Sequence, residues 1–181
     1  MSAVATLCRE LSVMEVKIIR SKRRKKTVEG RLESGVLVIR APAHISDAEL
    51  APIVDSLKAK VEKKLRRHQQ KSDQTLEARA RELNRRYFGG KLTWGSIRYV
   101  TNQNKRFGSC TPDYGTIRIS HRVERMPAWV RDYILVHELA HLIEPNHSRA
   151  FWDMVNRYPK TERARGYLMA IGMEADDETL A

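Results

Sequence analysis

Residues 136–147 read VHELAHLIEPNH and hold three of the six histidines of the 181-residue chain. His137 and His141 are four residues apart, so in a helix both project from the same face, one turn apart. Two imidazoles at this spacing can reach one zinc ion at about 2.0–2.1 Å. Val130 and Ile134 lie upstream on the same face, which predicts a buried stripe. A shared cation would remove the cost of burying two unpartnered imidazoles.

A catalytic zinc site needs a third protein ligand and an open fourth position. Pro145 prevents a regular helix from continuing, and a turn there can bring His147 back towards the ion. Glu144 stays on the histidine face but lies about 4.5 Å further along the helix axis than His141, so it would overshoot. We therefore predict one zinc ion bound by both helical histidines and His147, with Glu144 as the alternative third ligand.

Glu138 directly follows the first histidine of this pair. A carboxylate there can accept a proton from a water molecule whose pKa zinc has lowered to about 7, so we predict that Glu138 is the general base. Solvent-exposed histidines and a structural zinc are the alternatives. Cys110 could also bind zinc as a thiolate. Because three ligands are already local, we predict that Cys110 serves packing or loop structure.

Composition limits the class of protein. A hydrophobic content of 41% and a charged content of 31% are typical of one globular domain, and no apolar run is long enough to span a bilayer. The start MSAVATLCRE is not typical of a signal peptide, and two cysteines make no disulfide framework, which together favour a reducing cytoplasm. The oligomeric state is not predicted.

The formal net charge of +12 is concentrated upstream of the histidines. Residues 1–31 carry nine Lys/Arg and three Asp/Glu, and residues 58–91 carry twelve and four. Such surfaces attract nucleic acid, other phosphates or acidic proteins. The alternative is a solvated surface that keeps the protein soluble.

Hydrophobic periodicity predicts a single α+β domain over residues 1–181. Strands at 14–20 and 36–41 flank a third short strand and a turn at Gly35, which together predict a small antiparallel sheet over 14–42. The basic run SKRRKK at 21–26 is predicted to be an exposed hairpin end.

Residues 46–90 are predicted to form two linking helices. The first begins at the Ser46–Glu49 capping box or at Pro52, and the second ends at Gly89–Gly90.

Residues 95–171 are predicted to be the zinc-binding catalytic core. Its elements are strands at 96–101 and 116–120, a helix from Pro127 to Pro145, and helices capped by Ser148 and Thr161. A turn-rich connection joins the two strands, and 172–181 form a frayed acidic tail.

Three stretches resemble the YgjP-like metal-dependent hydrolases, over roughly residues 14–165: RSKRRKKTVEGRLESGVLVIRAPAHIS, RFGSC and VHELAHLIEPNHSRAFWDMV. The resemblance implies a zincin-like core, with Glu138 as general base and metal ligands at His137, His141 and His147. The family often reads Trp-Gly-Ser-Cys where this chain has an aromatic Phe107 before Gly-Ser-Cys. The histidine spacing also resembles the metzincins, but Glu144 replaces their glycine, so we do not assign the chain to them.

This resemblance indicates which residues form the site more clearly than it indicates the substrate. Members are described as zinc metallopeptidase-like, and members are also associated with hydrolysis of nucleoside triphosphates to monophosphates. We favour a zinc-dependent peptidase that lays an extended polypeptide along an edge strand, for which 116–120 is the candidate. The alternatives are a nucleoside triphosphate pyrophosphatase, with Lys105 and Arg106 as candidate phosphate-binding residues, and a basic nucleic-acid-binding module with a structural zinc.

Overall fold

The computed structural model describes residues 14–171, so the predicted acidic tail at 172–181 lies outside the described residues. The chain divides into two compact units, Met1–His68 and Gln69–Ala181. The single domain of the sequence analysis stays a prediction. Within 14–171, no helix combines the length and the apolar character that a bilayer span requires.

The first unit contains a three-stranded sheet of β1 (Val16–Ser21), β2 (Glu29–Glu33) and β3 (Val36–Pro42), in the order β1-β3-β2. β1 is parallel to β3, and β2 is antiparallel to it. The prediction of a wholly antiparallel sheet was therefore wrong. The basic run at 21–26 is not a hairpin end either, because β1 and β2 are not hydrogen-bonded neighbours.

Burial explains the strand order. Leu37, Ile39 and Ala41 of β3 are 0% exposed, whereas four of the six residues of β1 are exposed. The most apolar strand therefore takes the centre. β2 and β3 are joined by Ser34 and Gly35, with φ of 50° and 86°, which suits the two-residue turn that right-twisted hairpins favour.

One continuous helix, α1 (Asp47–Phe88), replaces the two helices predicted over 46–90. It begins at the predicted capping box, where the Ser46 and Glu49 side chains accept each other's backbone N–H groups, so Pro52 lies inside the helix. The polar stretch at 68–74 lacks apolar periodicity but contains no glycine or proline, so nothing breaks the helix there. Two glycines with positive φ, Gly89 and Gly90, end it as predicted.

The second unit contains a sheet of β4 (Ser96–Val100), β5 (Gly108–Thr111) and β6 (Thr116–Ser120), in the order β4-β6-β5. β4 is parallel to β6, and β5 is antiparallel to it. β6 is thus the central strand, with Ile117 and Ile119 fully buried, and 116–120 is not the edge that the sequence analysis proposed. The two edge strands are β4 and β5, and β5 lies in the stretch predicted to be a connection.

Helices α2 (Ala128–Ala140), α3 (Arg149–Val155) and α4 (Thr161–Ala170) complete this unit. α2 ends at Ala140, earlier than the predicted stop at Pro145. The Ser148 hydroxyl caps α3 by accepting the N–H of Phe151 at 3.3 Å, as predicted. Thr161 is not a cap; its hydroxyl lies 2.8 Å from the carbonyl of Tyr158 and can donate to it. The predicted α+β class is confirmed.

The arginine-rich face of α1, which consists of Arg79, Arg81, Arg85 and Arg86, is partly structural. Arg79 donates from Nε and Nη2 to the two carboxylate oxygens of Asp132 in α2, at 2.8 and 2.6 Å. Asp132 is 8% exposed, and Arg79 also pairs with Glu82. The pKa of Arg79 is raised, first by the Asp132 hydrogen bonds. Arg79 therefore does not belong to a basic surface available to polyanions.

We expect Arg79→Met to lower the free energy of unfolding by about 2–3 kcal/mol, because it leaves the Asp132 carboxylate buried without its partner. The figure is below that for a fully buried pair, since the Arg79 side chain is 37% exposed. Urea denaturation measures the change.

The matched control is Arg81→Met on the same helix. Arg81 is 65% exposed and pairs with Glu77 four residues away, so its replacement should cost less than about 0.5 kcal/mol. Equal losses for the two variants would contradict the assignment of Arg79 to the core.

Candidate metal centre and active site

The three predicted histidine ligands converge. The Nε2 atom of His137 lies 3.2 Å from that of His141 and 3.2 Å from that of His147. One ligand atom from each side chain lies within 4.8 Å of both others. Two ligands of a tetrahedral zinc ion, each bound at 2.0–2.1 Å, lie about 3.3 Å apart. The spacing of the nitrogens therefore fits one ion.

The end of α2 produces this convergence. His137 lies in the last turn of α2, and His141 is the residue immediately after the helix, with φ −64° and ψ −17°. The chain then turns through 141–147 before α3 begins. That turn returns His147 to the helix pair, as the sequence predicted from Pro145.

Hydrogen bonding fixes the tautomer of His141. Its Nδ1 lies 3.1 Å from the backbone carbonyl of Glu144, and a carbonyl can only accept, so Nδ1 carries the proton. A neutral ring then presents the Nε2 lone pair to the cluster. Ligating histidines are commonly oriented in this way by a second hydrogen bond.

Glu144, the alternative third ligand, contributes its carbonyl rather than its carboxylate to this arrangement. Its Oε1 accepts the N–H of Asn146 at 3.3 Å, and within residues 14–171 the metal-competent cluster consists of the three histidines.

His137 is held as a neutral imidazole. Burial lowers its pKa well below 6.5, and the charges of His141, His147 and Arg165 lower it further. Its Nδ1 atom is buried and has no hydrogen-bond partner among the described residues. Protonation would place an uncompensated charge there, so the ring is suited to binding a cation through Nε2.

Two aromatic rings of α3 position the histidines. Phe151 is 0% exposed, and its ring stacks on that of His141 with centroids 4.4 Å apart. It also meets His137 and His147 edge-on at 4.8 and 4.7 Å. Trp152 stacks on His147 at 5.8 Å. The sequence analysis missed these contacts, although both aromatics follow the third histidine within five residues.

Glu138 is buried, at 5% exposed, and packs against the first residue of β5. A Cβ atom added to Gly108 would lie 2.3 Å from its Oε1 and 2.7 Å from its Cδ. The carboxylate therefore occupies the space that any other residue at 108 would fill with its side chain. Sequence reasoning missed this requirement; the signal was the glycine of the RFGSC stretch.

Cys110 lies near Glu138 and outside the histidine cluster. It is half-buried and packs against the core of the second unit. Burial, and then the charge of Glu138, raises the pKa of its thiol to about 12. Its contacts with the core agree with the predicted packing role.

Lys105 and Arg106 are exposed in the loop before β5. Phosphate binding by these two residues stays a prediction.

Comparison with known proteins supports the resemblance over one segment. The model of the family described as "YgjP-like, metallopeptidase domain" matches residues 91–170. This match confirms the resemblance for that segment, which holds the three histidines and Glu138. The match also supports the interpretation that the chain is a metal-dependent hydrolase. A search of curated proteins finds no match.

One similar solved structure is the crystal structure of the metallopeptidase zymogen of Pyrococcus abyssi abylysin. The two chains are 22% identical, with a TM-score of 0.47, over 54% of this chain and 94% of that one.

We expect metal-free protein to bind about one Zn²⁺ per chain. His141→Ala and His147→Ala should each weaken binding at least about 100-fold, because each removes a converging nitrogen. Competition with a chromogenic chelator measures the affinity. His121, exposed and outside the cluster, provides the control, and His121→Ala should bind like the wild type. Unchanged affinity in His147→Ala would remove His147 from the ligand set.

Proposed function

We propose that this chain is a zinc-dependent peptidase in which His137, His141 and His147 hold the metal and Glu138 is the general base. The observation that carries the proposal is the convergence of three Nε2 atoms in a segment matched by a metallopeptidase family. In that segment the buried Glu138 directly follows His137 in the chain. Bound zinc would supply Lewis-acid chemistry, polarising a peptide carbonyl and lowering the pKa of water to about 7.

Glu138 performs the proton transfer in this proposal. One carboxylate oxygen accepts a proton from the attacking water as its oxygen bonds to the peptide carbonyl carbon. The same carboxyl group then delivers that proton to the leaving nitrogen as the C–N bond breaks. Gly108 supports this role, because its missing side chain leaves room for the carboxylate beside β5.

The position of β5 suggests where the substrate lies. Within residues 14–171, β5 pairs only with β6, so its outer edge has backbone groups available for another strand. An extended peptide that paired with this edge of β5 would run past Gly108, whose Cα faces Glu138. We therefore assign substrate pairing to Gly108–Thr111, in place of the central strand 116–120.

Replacing Glu138 by glutamine tests the function. Glu138→Gln should keep its zinc and lose at least about 100-fold in turnover, the low end for general-base catalysis. Zinc-loaded wild type and variant are incubated with unfolded casein and, separately, with the four common nucleoside triphosphates. His121→Ala, at an exposed residue outside the histidine cluster, is the control and should retain most activity.

The two substrate arms separate the candidate reactions. Casein fragments that disappear in the variant support the peptidase. Monophosphate release that disappears in the variant, with casein intact, would establish the pyrophosphatase instead. Near-normal turnover in Glu138→Gln would mean that the zinc is structural.

Replacing Gly108 by alanine tests how the base is positioned. The new Cβ must displace the Glu138 carboxylate, and a misplacement of about 1 Å can cost about 100-fold in rate. We expect that loss with zinc content unchanged, measured as casein hydrolysis. Gly166→Ala is the matched control, because nothing lies within 4 Å of its added Cβ, and it should retain activity. Equal activity of the two variants would contradict the proposed geometry.

A nucleic-acid-binding surface is a second candidate function. Residues 63–71 of α1 are all exposed, and Lys63, Lys64 and Arg67 lie there with no acidic residue in the stretch. The arginine-rich face further along α1 differs because acidic residues offset its charge. Arg81 pairs with Glu77, and Arg85 and Arg86 lie close to Glu82. Unneutralised charge along an exposed helix attracts phosphates.

A pair of triple variants tests this surface. Changing Lys63, Lys64 and Arg67 to glutamine should weaken binding to single-stranded DNA in ~50 mM salt and reduce the salt slope by about 2. The same change at Arg81, Arg85 and Arg86 should have less effect. Fluorescence anisotropy measures both. No binding by the wild type would leave the charge as a solubility feature.

A further inference from the structure

The second sheet carries two arginines side by side on one face. Arg98 of β4 lies opposite Arg118 of β6, and Arg118 lies opposite Ser109 of β5. Side chains alternate along a strand, and the flanking Ile117 and Ile119 are fully buried in the core. This row of three residues therefore lies on the other face of the sheet, which we call the outer face, and Arg118 is exposed there.

Neither arginine of the row is neutralised. Within residues 14–171, neither side chain has an ion pair, a hydrogen bond or a ring contact, and the buried Nε atom of Arg98 has no hydrogen-bond partner. By contrast, Arg79 and Arg81 of the same unit pair with carboxylates. Like charges opposite each other on neighbouring strands, about 4.8 Å apart, repel. The row is thus a cost to folding that no acidic residue of the described chain offsets, and an anion bound from outside would offset it.

Ser109 adds a third donor to the row. Its Oγ accepts a hydrogen from Nε2 of Gln103 at 2.6 Å, so the hydroxyl proton of Ser109 is not used in that bond. The backbone carbonyl of Gln103 in turn accepts the hydroxyl of Ser120 at 3.0 Å, which anchors Gln103 to the end of β6. A hydroxyl that is held through its oxygen can direct its proton to another acceptor. Ser109 is therefore able to donate to an anion beside Arg118.

The proposed substrate strand would lie next to this row. The edge of β4 is already engaged by α1, because the N–H of Tyr99 donates to Asp73 at 2.8 Å and its carbonyl accepts from Gln69 at 3.3 Å. Within residues 14–171, β5 pairs only with β6, which leaves its outer edge for a peptide. The end of the row that meets a substrate is therefore the end at Ser109.

A peptide paired with β5 would place alternate side chains on the outer face. Its side chains on the Gly108 side would face the Glu138 carboxylate, and those between them would lie beside Ser109. Two strand spacings, about 10 Å, separate such a peptide from β6. Ser109 between them is short, so a long acidic side chain of the peptide and the guanidinium of Arg118 can meet over it. Arg98 lies one strand further and adds positive charge next to Arg118.

We propose that Arg118 and Ser109 form a subsite that binds a glutamate side chain of the substrate polypeptide on the outer face of the sheet. The inference rests on the proposed peptidase function and on pairing of the substrate with β5. A guanidinium matches a carboxylate in a bidentate geometry, and the Ser109 hydroxyl donates to the same group. A one-residue slip of a paired strand turns every side chain to the other face, so binding one glutamate here fixes which peptide bond lies at Glu138.

Position-scanned peptides test the subsite. Zinc-loaded wild type is given peptides that differ only by Glu, Asp or Gln at each position within three residues of the cleaved bond, all with blocked termini. At one position we expect kcat/KM for Glu to be at least about tenfold higher than for Gln. Asp, whose side chain is shorter by a methylene, should gain less. The two adjacent positions should show no preference for Glu, because their side chains lie on the face of the sheet that Glu138 contacts.

Variants assign that preference to a residue. Arg118→Met should abolish it while leaving the Gln peptide within about threefold, and Arg118→Lys should keep part of it because the charge remains. Arg125→Met is the matched control, since Arg125 is exposed in the segment after β6 and outside the row, and it should retain the full preference. Circular dichroism and zinc content show whether each variant is folded. A preference that survives in Arg118→Met, or is lost equally in Arg125→Met, overturns the proposal.

Binding provides a readout independent of turnover. Calorimetry with the zinc-loaded Glu138→Gln protein should show the Glu peptide binding about tenfold tighter than its Gln twin, and adding Arg118→Met should remove the difference. If the wild type cleaves no peptide but this difference is found, the peptidase proposal fails and the subsite stands as a binding site for an acidic strand. If peptides are cleaved and bound without a preference for Glu, the subsite fails and the peptidase stands. Neither cleavage nor differential binding overturns both.

Discussion

The Glu138 carboxylate lies in the space that a side chain at residue 108 would occupy, and the arrangement of the site depends on this contact. Oε1 would be 2.3 Å from a Cβ there, closer than any real contact, so residue 108 has to be glycine. The contact sets the distance between α2, which carries the base, and β5, one of the two edge strands of the sheet. Two residues along the strand, on the same face, the Cys110 thiol also lies near this carboxylate and stays neutral, with its pKa raised to about 12.

The end of α2 supplies the second constraint. If the helix continued to Pro145, the residues after His141 would move away along the axis by about 1.5 Å each. Instead α2 ends at Ala140, and the carbonyl of Glu144 accepts the Nδ1 proton of His141. The same turn therefore orients one imidazole and returns His147 to it. Phe151, fully buried behind the three rings, then restricts their rotation.

Local sequence predicted the parts of the site that depend on residue spacing. The i, i+4 histidines, the glutamate between them and the return of His147 after a proline all follow from helix geometry. β5 could not be predicted in this way, because Gly-Ser-Cys-Thr shows no apolar alternation and forms a strand only by pairing with β6.

Strand order could not be predicted from local sequence for the same reason. The pattern of β6 is that of a buried strand, yet whether a strand is central or at an edge depends on partners elsewhere in the chain. The parallel pairing of β1 with β3 likewise cannot be predicted from either strand alone, because it depends on the rest of the first unit.

Burial of His137 has two opposite consequences, one at each nitrogen of the ring. An imidazole with a buried Nδ1 that has no hydrogen-bond partner within residues 14–171 costs folding free energy. The same burial lowers its pKa well below 6.5, so at neutral pH protons do not compete with a metal ion for Nε2. The neighbouring imidazoles and Arg165 act in the same direction, because each disfavours a proton on His137. A ring that weakens the metal-free fold is thereby available as a ligand without prior deprotonation, and metal binding to the folded chain would offset its cost.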